Sequence, residues 1–139
     1  MGIHNEVTII MKAASQNEAF ARMAVSAFIA PLDPTMDELT DVKTAVSEAV
    51  TNAIIHGYAS KPGEVTMRCV LDDNLLTVTV SDDGAGINDI EAAMKPLFTS
   101  RPDMERSGMG FSIMESFMDE LEVVSETGQG TKIIMKKKI

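Results

Sequence analysis

The chain has 139 residues, 45% of them hydrophobic, and its 12 Lys+Arg against 21 Asp+Glu give a formal net charge of −9. This length suits one domain, and no run of about 18 apolar residues is present that could span a membrane. The acidic charge argues against direct binding to nucleic-acid phosphates, while the single Cys69 and the lack of a secretory signal predict a cytoplasmic protein.

The N-terminal part of the sequence predicts a strand followed by two helices. Val7, Ile9 and Met11 alternate with their neighbours, which is typical of a strand with one better-buried face. Segments 15–18 (Ser-Gln-Asn-Glu) and 35–38 (Thr-Met-Asp-Glu) are capping boxes that would each open a helix. The apolar residues at helical spacing in the first helix are Phe20, Met23, Ala24, Ala27 and Phe28. Those in the second helix, which ends near Gly57, are Leu39, Val42, Val46, Ala49, Val50, Ala53 and Ile54.

The remainder of the chain predicts four strands and two shorter helices. Apolar residues alternate over 65–71 and 76–80, and a turn is expected at Asp73 and Asn74 between them. The expected elements that follow are a helix over 88–95, a loop over 97–107, a helix that opens at 108–110, and strands over about 121–126 and 131–137. This order predicts an α+β fold in a single domain covering 1–139. We expect a two-layer sandwich, with a mostly antiparallel sheet and one layer of helices.

Glu48 and Asn52 lie four residues apart on the predicted long helix, so their side chains share one face. Taken alone, such a polar ridge is typical of the solvated side of an amphipathic helix. The alternative interpretation is chemical. A carboxylate can act as a general base beside an amide oxygen that ligates Mg²⁺, a hard cation that prefers oxygen donors.

Three glycine-containing segments follow along the chain. Segment 82–86 (Asp-Asp-Gly-Ala-Gly) comes directly after a predicted strand, where glycine lets the backbone approach a ligand closely. Segment 108–110 (Gly-Met-Gly) precedes a predicted helix, whose first amides suit a phosphate group. Segment 128–131 (Gly-Gln-Gly-Thr) lies where a hairpin turn is expected. Each segment alone is also compatible with an ordinary turn or helix start.

In this order, the Glu48–Asn52 pair and the three glycine-containing segments resemble the four nucleotide-binding boxes of the GHKL ATPase/kinase superfamily. This superfamily includes gyrase, histidine kinases and MutL. Neither a P-loop nor a Rossmann fingerprint occurs in the sequence. Longer strings are similar to the sporulation anti-sigma-F factors of endospore-forming bacteria, and the general-stress anti-sigma kinases are close relatives. These strings are 15–22, 33–40, 47–58, 96–102 and 105–111, so the resemblance covers almost the whole chain.

The resemblance implies a role for each residue that matches a box. Glu48 would be the catalytic base, and Asn52 would be the Mg²⁺ ligand that bridges to the phosphates of ATP. Asp82 would accept a hydrogen bond from the adenine amino group, and Thr131 would support that contact through a water molecule.

The matching glycine segments and the lid complete the implied ATP site. Gly84 and Gly86 would shape the pocket wall. Ser107, Gly108 and Gly110 would offer backbone amides to the phosphates, and residues 94–107 match the ATP lid.

The resemblance also implies protein partners. The implied protein inhibits a sporulation sigma factor of RNA polymerase, phosphorylates a serine of an anti-anti-sigma antagonist, and forms a homodimer through its first strand and sheet edge. Arg22 matches a partner-contact position, although as a residue alone it is equally compatible with a solvated helix charge. The net charge of −9 would favour approach to a basic sigma factor.

Two other functions are compatible with parts of the sequence. A nucleotide-dependent sigma-binding module without efficient phosphotransfer would carry the same boxes. The core of a sensor histidine kinase fits less well, because neither His4 nor His56 lies in a dimerisation helix pair.

Overall fold

The computed structural model describes residues 2–58, 62–85 and 110–139, which form a five-stranded sheet and its packed helices. The N-terminal elements are β1 (His4–Lys12), α1 (Gln16–Ile29), a 3₁₀ turn (Ala30–Leu32), α2 (Met36–Asn52) and a π-helical turn (Ala53–Gly57). The elements that follow are β2 (Glu64–Asp72), β3 (Leu75–Asp82), α3 (Gly110–Phe117), β4 (Glu120–Glu126) and β5 (Gly130–Lys138). The predicted helix over 88–95, the loop over 97–107 and the lid over 94–107 lie outside the described residues.

The strand order in the sheet is β1-β2-β3-β5-β4, and all four of these pairings are antiparallel. Burial alternates along β2 and β3, so one face of the sheet is covered and the other is not. α1 packs on β2, α2 packs on β3, and α2 lies between α1 and α3. The α+β sandwich with one layer of helices is therefore confirmed.

The core lies between the helical layer and the covered face of the sheet. The predicted stripe of α2 is confirmed, since its members are buried except for Leu39, which is partly buried against the core. The alternating residues of β2 and β3 are also buried, and these are Val65, Met67, Cys69, Leu71, Leu76, Val78 and Val80. Among the helices of the described residues, none is long and apolar enough to cross a membrane.

The capping box of α2 forms as predicted. The Thr35 hydroxyl accepts a hydrogen bond from the Glu38 amide at 3.0 Å, and the Glu38 carboxylate accepts one from the Thr35 amide at 2.9 Å. Thr35 has the extended backbone that an N-cap residue requires.

The capping box predicted for α1 was wrong. Ser15 has helical φ and ψ angles of −57° and −32°, so its side chain makes no capping hydrogen bond. The Glu18 carboxylate turns away and instead accepts a hydrogen bond from the Ser47 hydroxyl and pairs with Arg22. A contact with α2 therefore outcompetes the local cap.

The predicted buried stripe of α1 was only partly right, since Ala24 and Phe28 pack partly against the core. The fully buried residues of the helix are Ala21, Val25 and Ile29, whereas Phe20 and Met23 are 53% and 63% exposed. Positions 21, 25 and 29 are four residues apart and so share one face of the helix. Small and branched side chains on this face let α1 approach α2 and β2 closely.

The outer strand β1 is less buried than its alternation predicted. Met11 is buried and Ile9 packs partly against the core, but Val7 is 36% exposed. Within the described parts of the chain, β1 pairs with β2 alone and is therefore an edge strand. The helices pack over the inner strands of the sheet and therefore bury less of β1.

Candidate nucleotide site

Asp82 is the last residue of β3, and its carboxyl group is buried, with 7% of the residue exposed. The Gly84 amide donates a hydrogen bond of 2.9 Å to Asp82 Oδ1. Burial raises the pKa of Asp82 and the charge of Asp83 adds to the rise, while hydrogen bonds from the Gly84 and Thr131 backbones oppose it. A buried carboxyl with a perturbed pKa at the end of a strand is typical of a functional site.

The turn between β4 and β5 packs against the backbone at Asp82 and the residues that follow it. Gly128 and Gly130 have φ angles of +80° and +84°, which favour glycine. A Cβ atom on Gly130 would lie 2.1 Å from the Asp82 carbonyl oxygen, so the backbones touch here without room for a side chain. The Gly128 amide donates to the Ala85 carbonyl at 2.6 Å. The predicted hairpin turn is therefore confirmed, and it also holds the segment after Asp82.

Thr131 lies directly opposite Asp82 in the register of β3 and β5 and is 5% exposed. Its hydroxyl is 2.8 Å from the hydroxyl of Ser125, which also donates to the Gly130 carbonyl at 2.9 Å. No motif in the sequence marks Ser125, because only the pairing of β4 with β5 brings it next to Thr131. The two hydroxyls form a small polar cluster beside the buried carboxyl.

Glu48 of α2 faces the first turn of α3. Its Oε2 atom lies 3.3 Å from the place that a Cβ atom on Gly110 would occupy, so a larger residue there would crowd the carboxylate. Asn52 follows one turn later and is half-buried. Its side-chain amide makes no hydrogen bond with any residue in 2–58, 62–85 or 110–139. The amide oxygen of Asn52 is a hard oxygen donor, which fits Mg²⁺.

The structure thus brings the predicted site residues together in two groups. Glu48 meets Gly110, while the segment from Asp82 to Gly84 meets the turn that carries Thr131. Gly86, Ser107 and Gly108 lie outside the described residues. Tyr58 is a further residue near this site that no motif marks, and its hydroxyl accepts a hydrogen bond from the Asp83 amide.

Arg22 lies in a different place, on α1. With Thr40, Lys43, Thr44 and Ser47 it lines a cleft of about 270 Å³ between α1 and α2. Its Nε atom is buried and lies 3.0 Å from Glu18 Oε1, an ion pair without hydrogen-bond geometry. The side chain of Arg22 is 39% exposed, so it is only partly solvated.

The chain matches known proteins over nearly its full length. The family model described as "Histidine kinase-like ATPase domain" matches residues 11–137. A protein named "Anti-sigma F factor" from Clostridium acetobutylicum is 60% identical over 136 residues, covering 98% of this chain and 95% of the relative. Another of that name from Geobacillus kaustophilus is 56% identical over 138 residues, covering 99% and 94%.

Two solved structures share the fold at lower identity. The RsbU and RsbW domains of Rv1364c from Mycobacterium tuberculosis align with a TM-score of 0.68 at 18% identity, over 96% of this chain and 32% of that one. The catalytic domain of the histidine kinase ThkA aligns with a TM-score of 0.57 at 16% identity, over 98% of this chain and 95% of that one. At such identity these likenesses concern the fold alone. The family match and the close relatives together place the chain in the histidine kinase-like ATPase family, among the anti-sigma F factors of spore-forming bacteria.

Proposed function

We propose that this protein is an anti-sigma factor that inhibits a sporulation sigma factor and, as an ATP-dependent serine kinase, phosphorylates its anti-anti-sigma antagonist. The observation that carries the proposal is the 60% identity with an anti-sigma F factor over 98% of the chain. The conjunction of the buried Asp82 with the Glu48–Gly110 contact supports the enzymatic part. The proposed unit is one cytoplasmic domain spanning 1–139, with an ATP lid over about 94–107.

Adenine would bind at the end of β3, where Asp82 accepts a hydrogen bond from its amino group. Burial makes this contact selective, because a buried acceptor without a donor costs free energy. Thr131 would support the contact through a water molecule, next to the hydroxyl of Ser125. Gly84 and Gly86 would form the wall of the same pocket.

The phosphates would lie between α2 and the start of α3. Ser107, Gly108 and Gly110 would donate backbone amides to them. Asn52 would hold Mg²⁺, which supplies positive charge at the phosphates when bound. Glu48 would then accept the proton from the attacking serine hydroxyl of the antagonist, as a general base.

Protein partners would contact the outer side of α1. Arg22 is half-exposed in a polar cleft, and arginine is over-represented at binding hot spots. The net charge of −9 would speed approach to a basic sigma factor. A homodimer would form at the β1 edge of the sheet, where Ile10 is 65% exposed.

Transfer of labelled phosphate from ATP to the purified antagonist, with Mg²⁺, tests the kinase reaction. The expected result is one labelled serine in the antagonist and little label with the Glu48→Gln variant. Sigma-factor binding is measured separately, by titration in the presence of ADP or ATP. Binding without transfer would favour the alternative, a nucleotide-dependent sigma-binding module. Failure of both would reject the proposed function.

A further inference from the structure

Tyr58 follows the π-helical turn at the end of α2 and reaches across to the end of the sheet. Its backbone amide bonds to the Ala53 carbonyl at 3.1 Å, five residues earlier, as in a π turn. Its hydroxyl donates to the Glu64 carbonyl at 2.5 Å and accepts from the Asp83 amide at 2.8 Å. One hydroxyl thus bonds to the start of β2 and to the residue after β3.

The two partners of this hydroxyl would otherwise face each other in the sheet. β2 and β3 pair with Val65 opposite Asp82, so the next rung of the same register would place Glu64 opposite Asp83. The Tyr58 hydroxyl lies in this rung and bridges its carbonyl and amide. The chain therefore leaves β3 directly after Asp82 and turns, which brings the Gly84 amide to the Asp82 carboxyl at 2.9 Å.

The ring of Tyr58 is held as firmly as its hydroxyl. A Cβ atom on Gly63 would lie 2.5 Å from Cε1 of the ring, so the ring packs directly on the Gly63 backbone. The Gly63 carbonyl in turn accepts a hydrogen bond of 2.8 Å from the Ala13 amide, just after β1. Tyr58 is therefore fixed between α2 and the β1–β2 end of the sheet.

We propose that Tyr58 is a positioning residue of the nucleotide site, which acts through Asp82. Its hydroxyl sets the backbone of residues 82–84 so that the Asp82 carboxyl is aimed at the adenine amino group. It also couples this segment to α2, the helix of Glu48 and Asn52. The inference rests on the proposed nucleotide binding and adds a residue that does not itself touch the nucleotide.

The test is the affinity for ADP of the Tyr58→Phe variant, measured by calorimetry. The change keeps the ring on Gly63 and removes both hydrogen bonds of the hydroxyl. Because their loss reaches the nucleotide only through Asp82, we expect the Kd to rise about two- to tenfold, which is comparable to the net worth of one hydrogen bond. A cooperative thermal unfolding transition is the check that the variant is folded. Ser26→Ala is the matched control, because among the described residues its hydroxyl bonds only within α1, to the Arg22 carbonyl at 2.8 Å.

A double-mutant cycle separates positioning from general structural support. If Tyr58 acts through Asp82, Tyr58→Phe should change the Kd by less than about twofold in an Asp82→Asn background. The same rise in both backgrounds, or parental affinity in Tyr58→Phe, would overturn the inference. Absence of ADP binding by the parent protein would instead overturn the proposed function.

Two further measurements keep the test decisive if Tyr58→Phe folds poorly. In Gly63→Ala the new Cβ displaces the ring while the hydroxyl remains in the sequence, and ADP affinity should fall in the same direction. In the parent protein the Asp83 amide should be protected from hydrogen exchange, because the Tyr58 hydroxyl accepts from it. Parental affinity in the first case or an unprotected amide in the second would refute the bridge.

Discussion

Replacing Asp82 with asparagine tests the proposed adenine contact at a single side chain. The carboxyl is 7% exposed and already accepts from the Gly84 amide, so it is oriented before any ligand arrives. Asparagine keeps the size of the side chain but can present an amide donor to the adenine amino group. Loss of a hydrogen bond to a charged partner costs about 1.5–3 kcal/mol, so we expect the Kd for ADP to rise roughly 10- to 150-fold.

The same substitution should remove a pH dependence of folding. Because burial raises the pKa of Asp82, the native state holds its proton to higher pH than the unfolded chain does. The contribution of Asp82 to the free energy of unfolding is therefore greatest below its unfolded pKa and declines as pH rises through the raised pKa. Denaturant titrations of the nucleotide-free protein across this range should show the decline in the parent and not in Asp82→Asn.

The matched control is Asp73→Asn, the same change at an exposed position in the turn before β3, at the opposite end of the strand from Asp82. The Kd of this control variant for ADP should lie within about twofold of the parental value, because substitutions at exposed positions usually change stability by less than about 0.5 kcal/mol. Calorimetric titration with ADP compares both variants with the parent. Parental affinity in Asp82→Asn, or equal losses in the two variants, would refute the assignment of Asp82 as the adenine acceptor.

Three further substitutions have outcomes that follow from the structure. Glu48→Gln should bind ATP with parental affinity but transfer phosphate about 10²–10⁴-fold more slowly, in a single-turnover assay; undiminished transfer would remove its role as general base. Arg22→Ala should weaken sigma-factor or antagonist binding by about 2 kcal/mol or more without changing ADP affinity, as measured by titration; parental affinity for both partners would make it an ordinary helix charge. Gly130→Ala should be destabilised in denaturant titrations by more than Gly128→Ala, because both have positive φ but only the first Cβ would contact the Asp82 backbone. Equal losses in the two glycine variants would show that this backbone contact relaxes freely.

The sequence by itself determined those features that depend on neighbours along the chain. The capping box at Thr35 and the stripe from Val42 to Ile54 predicted α2, because local hydrogen bonds and helical spacing agree there. The alternation in β2 and β3 predicted which face is buried. Successive side chains of a strand lie on opposite faces of the sheet, so the apolar set can face the core in one way only. The order of the glycine segments predicted the family, which the close relatives confirm.

Only the tertiary structure decided which of two competing local solutions α1 adopts. Ser15 and Glu18 have the spacing of a capping box, but Glu18 pairs with Arg22 and Ser47 instead. By hydrophobicity, Phe20 was expected to be buried in preference to Ala21. The structure buries Ala21 instead, because the smaller side chain lets the helices pack closely. Both outcomes depend on the packing of α1 against α2, which brings Ser47 to Glu18 although the two residues are 29 positions apart along the chain.

The residues that shape the nucleotide site beyond its motifs were likewise decided in three dimensions. Tyr58 bonds to Asp83, which lies 25 positions further along the chain, and Ser125 meets Thr131 only through the pairing of β4 with β5. The sequence does not predict such contacts, because the presence of a tyrosine or serine does not reveal which distant residue its hydroxyl bonds to. The motifs therefore specify the chemistry of this site, while the sheet register and the π-helical turn specify where its groups are held.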